Sequence, residues 1–204
     1  MTSPAVERRS PEATRRRLLE AAIKVFARKG YYGTTVDDIV AECGSSKGAF
    51  YFHFESKEAL FLRLVEEFAG QLAGALEHAV RHSARGGPGR VEAAITAGLE
   101  LMGRYPELTR LFLIEAVGIN PQFEAKRREL MDRFARIIQS YLEQAASRHP
   151  LAVGDTALAS AAILGALNEV VVWWLTRSQE RPLAELAPEL SRFVLRAIGW
   201  QTST

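Results

Sequence analysis

The stretch from Glu42 to Leu60, ECGSSKGAFYFHFESKEAL, places a glycine, a polar helix start and a run of aromatic residues next to one another. Four aromatic rings and a histidine crowd into five consecutive positions. One helix has too narrow an inward face to bury all of them. Phe50 and Phe54 are four residues apart and share one face, so we expect them to pack inward. Tyr51 and Phe52 then lie toward the other side.

Helix-start signals occur before this stretch. Ser10 followed by Pro11 is typical of a helix start, and Thr35 with Asp38 three positions later resembles a capping box. Gly44 is expected to interrupt the helix that follows Thr35. The expected helices run from Pro11 to Gly30, from Val36 to Cys43, from about Ser46 to Phe54, and from Lys57, behind the cap Ser56, to about Arg85.

The sequence after RGGPG (85–89) is also helical in pattern. Proline- and glycine-containing breaks divide it into helical segments at about 90–104, 106–118, 121–148, 154–178 and 183–199. Pro188 is tolerable only in a first turn, so the last helix is expected to begin near Ala187. No useful length alternates with period two, which excludes a sheet. The predicted fold class is therefore all-α, with about nine helices.

Composition bounds the class of protein and its compartment. The chain has 204 residues, of which 48% are hydrophobic and 25% are charged, as in ordinary globular proteins. We find no run of about 18 apolar residues and no signal peptide at the N-terminus, so no transmembrane helix is expected. The single cysteine, Cys43, cannot form an intrachain disulfide, which indicates a reducing cytoplasm. Arginines cluster near the start, where they either meet phosphates or form a solvated tail: Arg8, Arg9, Arg15, Arg16 and Arg17.

Two short helices joined by a glycine turn and braced by a longer first helix form a helix-turn-helix pattern. The second helix of such a pair enters the major groove of DNA with its N-terminal residues at the base edges. Small or hydrogen-bonding residues occupy that N-terminus, and others suit flanking phosphates. The candidate DNA contacts from this pattern are Thr34, Thr35, Ser45, Ser46, Lys47, Gly48, Ala49 and Lys57. The same residues are also compatible with ordinary caps and turns.

The segment from Thr14 to Phe61 resembles the DNA-binding domain of TetR-family transcriptional regulators. The resemblance covers the first helix end, the Thr34-Thr35 pair, the glycine turn, the aromatic run and the Ser-Lys-Glu start of the fourth helix. It departs at Ser45, where an aliphatic residue is common. By this resemblance, the positions that commonly touch DNA are Thr35, Ser46, Lys47, Tyr51, His53 and Lys57; Phe52 is a further candidate on the same surface.

The resemblance also implies an architecture and a mode of action. Residues 1–56 would form a helix-turn-helix DNA-binding domain, with the motif at about 36–54, and residues 57–204 a helical effector-binding and dimerisation domain. A homodimer places two recognition helices about 34 Å apart and so implies a palindromic operator. The implied function is a ligand-responsive regulator, most often a repressor. In the family the last two helices form the dimer interface, which here means about 154–178 and 183–199; an internal core helix is the alternative.

Two polar residues stand in apolar surroundings in the second part of the chain. Glu115 and Asn168 either line a ligand cavity or pair with other protein groups, because a bare buried polar group is costly. Trp173 and Trp174 diverge by about 100° on a helix, so only one of them can share such a cavity. The candidate ligand-binding residues are Met102, Phe112, Glu115, Phe123, Met131, Phe134, Tyr141, Asn168 and Trp173. The alternative for each apolar one is ordinary core packing.

The effector is expected to be a small apolar molecule, with a fatty acyl-CoA or fatty acid as the first candidate. Residues 165–186 resemble the penultimate helix of fatty-acid-responsive members of the family. Three arginines of the 121–148 segment can meet the phosphates of a CoA or form a solvated face: Arg127, Arg128 and Arg133. A helical DNA-binding protein without an effector is the alternative, and a cavity behind Phe112 and Phe134 would separate the two.

An enzyme is the competing class of function. The sequence has no glycine-rich phosphate loop, no nucleophile motif and no cluster with metal-ligand spacing. His78 and His82 are four residues apart, but no third metal ligand is evident. Cys43 on a short helix is expected to be a small core residue. We therefore expect no catalytic site, no metal and no cofactor.

Overall fold

A computed structural model describes residues 10–83, 86–177 and 181–200, and these residues form nine α-helices with no strand. The first four helices are α1 (Pro11–Gly33), α2 (Val36–Cys43), α3 (Lys47–His53) and α4 (Lys57–His82). The others are α5 (Gly87–Arg104), α6 (Pro106–Arg110), α7 (Pro121–Ala146), α8 (Thr156–Thr176) and α9 (Ala187–Ala197). A π-helical turn (Leu111–Glu115) follows α6, and a 3₁₀ turn (Leu183–Leu186) precedes α9. The all-α prediction is confirmed.

The predicted helix starts in the first part of the chain have the expected capping bonds. The hydroxyl of Ser10 accepts from the Ala13 N–H at 3.1 Å. Asp38 and Thr35 form the reciprocal capping box, with a backbone N–H donating to the other residue's side chain in each direction. Gly44 ends α2 in the left-handed conformation, with φ of 63°, which glycine adopts without steric cost. Local backbone chemistry therefore fixes these boundaries.

The end of α1 differs from the prediction. Gly30 has φ of 68° and ψ of 172°, so it breaks the helical conformation where the sequence indicated an end. One more turn follows the kink, and α1 ends at Gly33. This extra turn places Tyr31 in the core, where its ring lies 5.1 Å from that of Phe61.

The chain divides into two compact units, and the division falls inside α4. The described residues up to Glu67 form the first unit, and those from Phe68 form the second. The sequence analysis set its boundary before Lys57. The first turns of α4 belong with the first unit because their apolar side chains complete its core; the ring of Phe61, for example, lies edge-on to that of Phe26 at 5.3 Å.

The aromatic run divides by face as expected. Phe50 and Phe54 are buried in the first unit, and their ring centroids are 5.9 Å apart. Tyr51 and Phe52 remain 55% and 76% exposed. Burial of the two inward rings holds α3 against the core, since each fully buried aromatic side chain contributes about 1.5–3 kcal/mol. The other two rings are left on the surface of the second half of α3.

The second unit is a helical body around one apolar core. Helix α8 packs along α7, while α9 and the 3₁₀ turn pack on α5. Val171, Leu99 and Leu183 are among its most buried side chains. The α9 helix begins at Ala187, as Pro188 in its first turn predicted.

Helix α8 is more exposed than a core helix. By length and composition alone, this helix could cross a membrane. Its most apolar 18-residue segment has a mean hydropathy of 1.6, and only 28% of that segment is buried. One helix that meets this test by length and composition alone is weak evidence for a membrane span, so it does not overturn the expectation of no transmembrane helix. Large apolar side chains on its uncovered face include Leu158 and Trp173.

Asp38 provides a test of the capping box. Hydrogen bonds from Lys29 and from the Thr35 backbone and hydroxyl lower the pKa of Asp38 to about 2. A lowered pKa means that the carboxylate stabilises the fold at pH above about 4 and that this contribution is lost as the pH falls through about 2. We expect Asp38→Asn to lower the Tm at pH 7, with the difference from the wild type narrowing toward pH 3.

The matched control for this experiment is Asp37→Asn, which makes the same charge change at the same helix start but outside the capping box. Thermal unfolding followed by circular dichroism from pH 7 to pH 3 gives both series. Equal losses of Tm in the two variants at pH 7 would contradict a specific role for the Asp38 carboxylate.

Candidate DNA-binding surface and effector cavity

The N-terminal end of α3 presents its predicted contact residues to solvent. Ser46 caps the helix, its hydroxyl accepting from the Ala49 N–H at 3.2 Å, as expected of a serine at this position. The surface of the first unit around this end includes Thr35, Ser46, Lys47, Gly48, Tyr51 and Phe52 as exposed residues, and Ser45, Ala49 and His53 as partly exposed ones. The start of α3 therefore presents hydroxyl groups, a lysine and a small glycine on one accessible surface, which suits the major groove of DNA.

Lys47 is held by an acid of the neighbouring helix. Its ammonium lies 2.9 Å from a carboxylate oxygen of Asp37, and this hydrogen bond raises the pKa of Lys47. Both side chains are more than half exposed. An exposed pair of this kind is weak, so Lys47 can exchange Asp37 for a phosphate at small cost.

Two of the predicted contacts have structural partners. Thr34 is only 1% exposed, and its hydroxyl donates to the Gly30 carbonyl at 2.7 Å. The Lys57 ammonium donates to the carbonyls of Tyr31 and Thr34, both at 2.7 Å, and lies 4.3 Å from the Tyr31 ring centroid. Burial lowers the pKa of Lys57. The physical reason is the kink at Gly30, which leaves carbonyl groups at the end of α1 that need donors.

These two residues therefore position the turn between α1 and α2, and contact of Thr34 and Lys57 with DNA stays a prediction. The next residue along the chain, Thr35, remains exposed at the start of α2. A sequence motif alone does not distinguish a lysine that binds a phosphate from one that binds helix-end carbonyls.

The basic start of the chain is also partly engaged. Arg15 pairs with Glu67 at 2.8 Å, and a guanidinium nitrogen of Arg17 donates to the Cys43 carbonyl. Arg16 is exposed. Arg8 and Arg9 lie outside the described residues. The described arginines of this cluster thus serve mainly to hold α1 against its own unit.

The second unit contains an apolar cavity of about 230 Å³ between α4, α5, α7 and α8. It is slightly smaller than typical small-molecule pockets. Helix α4 contributes Leu72, Leu76 and Val80 to its wall. The predicted ligand-binding residues that line it are Met102, Phe112, Met131, Phe134, Tyr141 and Asn168.

Asn168 has a weak partner inside the cavity wall. Its amide nitrogen lies 3.3 Å from the Met131 sulfur, and a thioether is only a weak acceptor. The amide therefore keeps most of its hydrogen-bonding capacity for another group.

Three predicted ligand-binding residues, Glu115, Phe123 and Trp173, do not line this cavity. Glu115 ends the π-helical turn, and Phe123 is buried at the start of α7. Trp173 is 44% exposed on the outer face of α8, whereas Trp174 is the buried ring and donates its indole N–H to the Arg181 carbonyl at 2.9 Å. The roughly 100° step between adjacent helical residues sends these two rings to different surroundings.

The sequence analysis missed the cavity's polar end. Arg90, Arg148, His149 and Trp200 line it there. The arginines considered from the sequence do not line it, and Arg127 pairs with Glu124 at 3.3 Å instead. No local pattern marks Arg90 and Arg148, because they are far apart in the sequence and only the assembled cavity wall includes both.

The described residues hold no group of three or more His, Cys, Asp or Glu side chains that could bind a metal ion. His78 and His82 stack at 4.1 Å on α4. Cys43 is buried, and burial raises the pKa of its thiol, as fits a core residue.

An exposed helix-turn-helix edge and a separate apolar cavity in a second helical unit define the class of ligand-binding transcriptional regulators. Comparison with known proteins identifies the family. The sequence profile of bacterial regulatory proteins of the tetR family matches residues 18–64, and that of the tetracyclin repressor-like C-terminal domain matches residues 87–198. The chain belongs to the tetR family. Its members are DNA-binding regulators that dimerise, rather than enzymes.

Individual relatives agree with this assignment. The uncharacterized HTH-type transcriptional regulator YerO of Bacillus subtilis is 52% identical over 54 residues, which are 26% of this chain and 19% of that protein. The fatty acid metabolism regulator protein of B. subtilis is 23% identical over 182 residues, covering 89% and 93% of the two chains. The crystal structure of FadR from B. subtilis in complex with stearoyl-CoA matches with a TM-score of 0.82 at 23% identity, over 90% and 98% of the chains.

Replacement of Tyr51 separates contact with DNA from support of the fold. Tyr51 is exposed beside Lys47, so Tyr51→Ala should weaken operator binding by about five- to tenfold, the loss of roughly one hydrogen bond, and leave the dimer and the Tm unchanged. Lys57→Met should instead lower the free energy of unfolding by about 1–3 kcal/mol, because two helix-end carbonyls lose a charged donor.

Fluorescence anisotropy with operator DNA and chemical unfolding, applied to both variants, give the two readouts. An unchanged free energy of unfolding in Lys57→Met would show that Lys57 does not hold the turn. Normal operator binding by Tyr51→Ala would show that Tyr51 does not contact DNA.

Proposed function

We propose that this protein is a transcriptional repressor that binds a palindromic operator as a homodimer and is released by a fatty acyl-CoA or fatty acid. The observation that carries the proposal is the path of α4. Its first turns complete the core of the helix-turn-helix unit through Leu60 and Phe61, and its later turns line the cavity through Leu72 and Leu76. One helix therefore contacts both the DNA-binding core and the space for an effector.

The character of the cavity supports an effector with a long apolar part. Its wall is formed mainly by aliphatic and aromatic side chains, with few polar groups. The B. subtilis FadR structure, which has the same fold, was solved in complex with stearoyl-CoA. At 23% identity that likeness supports the fold and suggests a ligand class. The alternative, a DNA-binding protein with no effector, does not account for an apolar cavity lined by α4.

The proposed homodimer uses the exposed faces of α8 and α9. Leu158, Trp173 and Phe193 are large apolar residues left exposed on them. Small residues such as Ala161 and Gly165 are also exposed on α8 and permit close approach of a second helix. Burial of this face in a second copy removes apolar surface from water. It also gives the apolar character of α8 a purpose that needs no membrane.

In the proposed mechanism, the effector prefers one arrangement of the two DNA-binding units in the dimer. Phe68, on α4, lies 6.0 Å from Phe112, and Phe112 lies 6.3 Å from Phe134; both Phe112 and Phe134 line the cavity. A ligand that displaces Phe112 therefore acts on α4 directly. It shifts the equilibrium only by its difference in affinity for the two arrangements. Binding to chromosomal DNA places the protein in the cytoplasm.

The proposal predicts that palmitoyl-CoA or hexadecanoic acid raises the Tm of the purified dimer and releases it from operator DNA. The operator is a duplex selected by the protein itself from a random-sequence pool. Ala94→Phe fills the cavity from α5 and should abolish release while operator affinity stays within about twofold. The neighbouring Ala93→Phe, which does not line the cavity, is the matched control.

Native mass spectrometry of the freshly purified protein reports the dimer mass and any co-purified ligand. A monomer at micromolar concentration would contradict the homodimer. Failure of fatty acids and acyl-CoAs to change either the Tm or operator binding would contradict the proposed effector class.

A further inference from the structure

One end of the effector cavity is cationic. Arg90 projects from the first turn of α5, and Arg148 and His149 follow the end of α7. The described residues that line the cavity include no aspartate or glutamate. Arg148 and His149 are exposed, so this end opens to solvent. We refer to the two guanidinium groups of Arg90 and Arg148, together with the neighbouring His149 ring, as the cationic end, its charge being that of the two arginines.

Arg90 has an unmet donor at this end. Its Nε is buried and has no hydrogen-bond acceptor among the described residues. A buried charged donor without an acceptor is costly, and guanidinium groups usually gain carboxylate or phosphate oxygens as partners. The N-terminus of α5, one turn away, adds a positive dipole that also favours an anion. An anionic ligand would accept a hydrogen bond from Arg90 Nε and would also be stabilised by the helix dipole.

The opposite end of the cavity is apolar. Phe112 and Phe134 line it with edge-to-face rings, and Met102 lies on the same wall. The cavity thus changes from apolar to cationic along its length, in the way an amphiphile changes from tail to head. This change of polarity along the cavity predicts which end of an amphiphilic effector lies at which end of the cavity.

Trp200 lies against the cationic end. Its ring is 4.8 Å from that of His149, and a Cβ added to Gly87 would approach the Trp200 ring to 2.3 Å. Gly87 is therefore the residue that leaves room for the indole. Because Trp200 also lines the cavity, its fluorescence reports on what occupies this end.

We propose that the cationic end binds the anionic head group of the effector, with the apolar tail directed toward Phe112 and Phe134. The head group is either the carboxylate of a fatty acid or the phosphates of a CoA thioester, which share oxygen acceptors for the two guanidinium groups. The inference rests on the proposed function for the ligand's tail. The new element is the head-group contact: a neutral lipid with a tail of the same length binds through that tail alone, and Arg90 and Arg148 add nothing to its affinity.

The first test compares three ligands of one chain length: hexadecanoic acid, palmitoyl-CoA and the neutral 1-hexadecanol. Binding to the full-length dimer is measured by calorimetry below the concentration at which each ligand forms micelles. Arg90→Gln and Arg148→Gln should weaken both anions by about tenfold or more, the loss of one charged hydrogen bond. Their affinity for 1-hexadecanol should not change. Arg127→Gln, an arginine outside the cavity, is the matched control.

The outcomes separate the two proposals. If none of the three ligands binds the wild type, the proposed effector class fails. If they bind but the arginine variants keep full affinity for the anions, the head-group site is wrong and the effector class stands. A loss for palmitoyl-CoA alone identifies the phosphates as the group that is bound, and a loss for both anions identifies a site that also accepts the carboxylate.

The second test reads the direction of the ligand. Bromine quenches a nearby indole, so 2-bromohexadecanoic acid, brominated beside the carboxylate, should quench Trp200 strongly. An acid brominated at the far end of the chain, 16-bromohexadecanoic acid, should quench it weakly. The quenching by the first acid should disappear in Trp200→Phe. Stronger quenching of Trp200 by the 16-bromo acid would reverse the orientation and overturn the inference.

Discussion

The apolar stripe of α4 is the constraint on which the rest of the structure depends. The stripe is buried along the whole helix, first by the aromatic core around Phe26 and then by the body that contains the cavity. Leu60 and Leu72 are three helical turns apart on this one stripe. In the proposed mechanism, α4 carries a change at the wall of the cavity toward the helix-turn-helix unit.

In the first unit, side chains that hold the fold and predicted DNA contacts belong to the same short segment. A capping box and a left-handed glycine set the ends of α2, and Lys57 donates to the carbonyls of Tyr31 and Thr34 at the end of α1. The buried ring of Phe50 holds α3 against the core of the first unit. Lys47 and Tyr51 are left with weak or no structural roles at the surface. Residues with structural roles and exposed residues predicted to contact DNA thus occur side by side in this motif.

The sequence predicts this unit well because its signals are local. The caps at Ser10 and Thr35, the turn at Gly44 and the division of the aromatic run all follow from neighbours within four residues. Lys57 shows the limit: its partners are the carbonyls of Tyr31 and Thr34, which only the folded turn brings within reach. The motif identified the residue but not its structural role.

Tertiary packing decides the cavity, and the sequence predicts that part less completely. Phe112 and Phe134 were found because large apolar residues recur on their helices, yet Phe123 has the same character and packs elsewhere. Arg90 and Arg148 are separated by most of two helices, so no local pattern joins them. Polar residues at the end of a cavity are visible only after the walls are assembled.

In the proposed mechanism, effector occupancy changes the spacing of the two DNA-binding units in the dimer. The most direct measurement is the distance between spin labels at Glu55→Cys in both subunits, by pulsed electron paramagnetic resonance. The buried native cysteine is replaced in a Cys43→Ser background. The account predicts different distance distributions for the operator-bound and the palmitoyl-CoA-bound dimer. One unchanged distribution, with saturating ligand and released DNA, would contradict it.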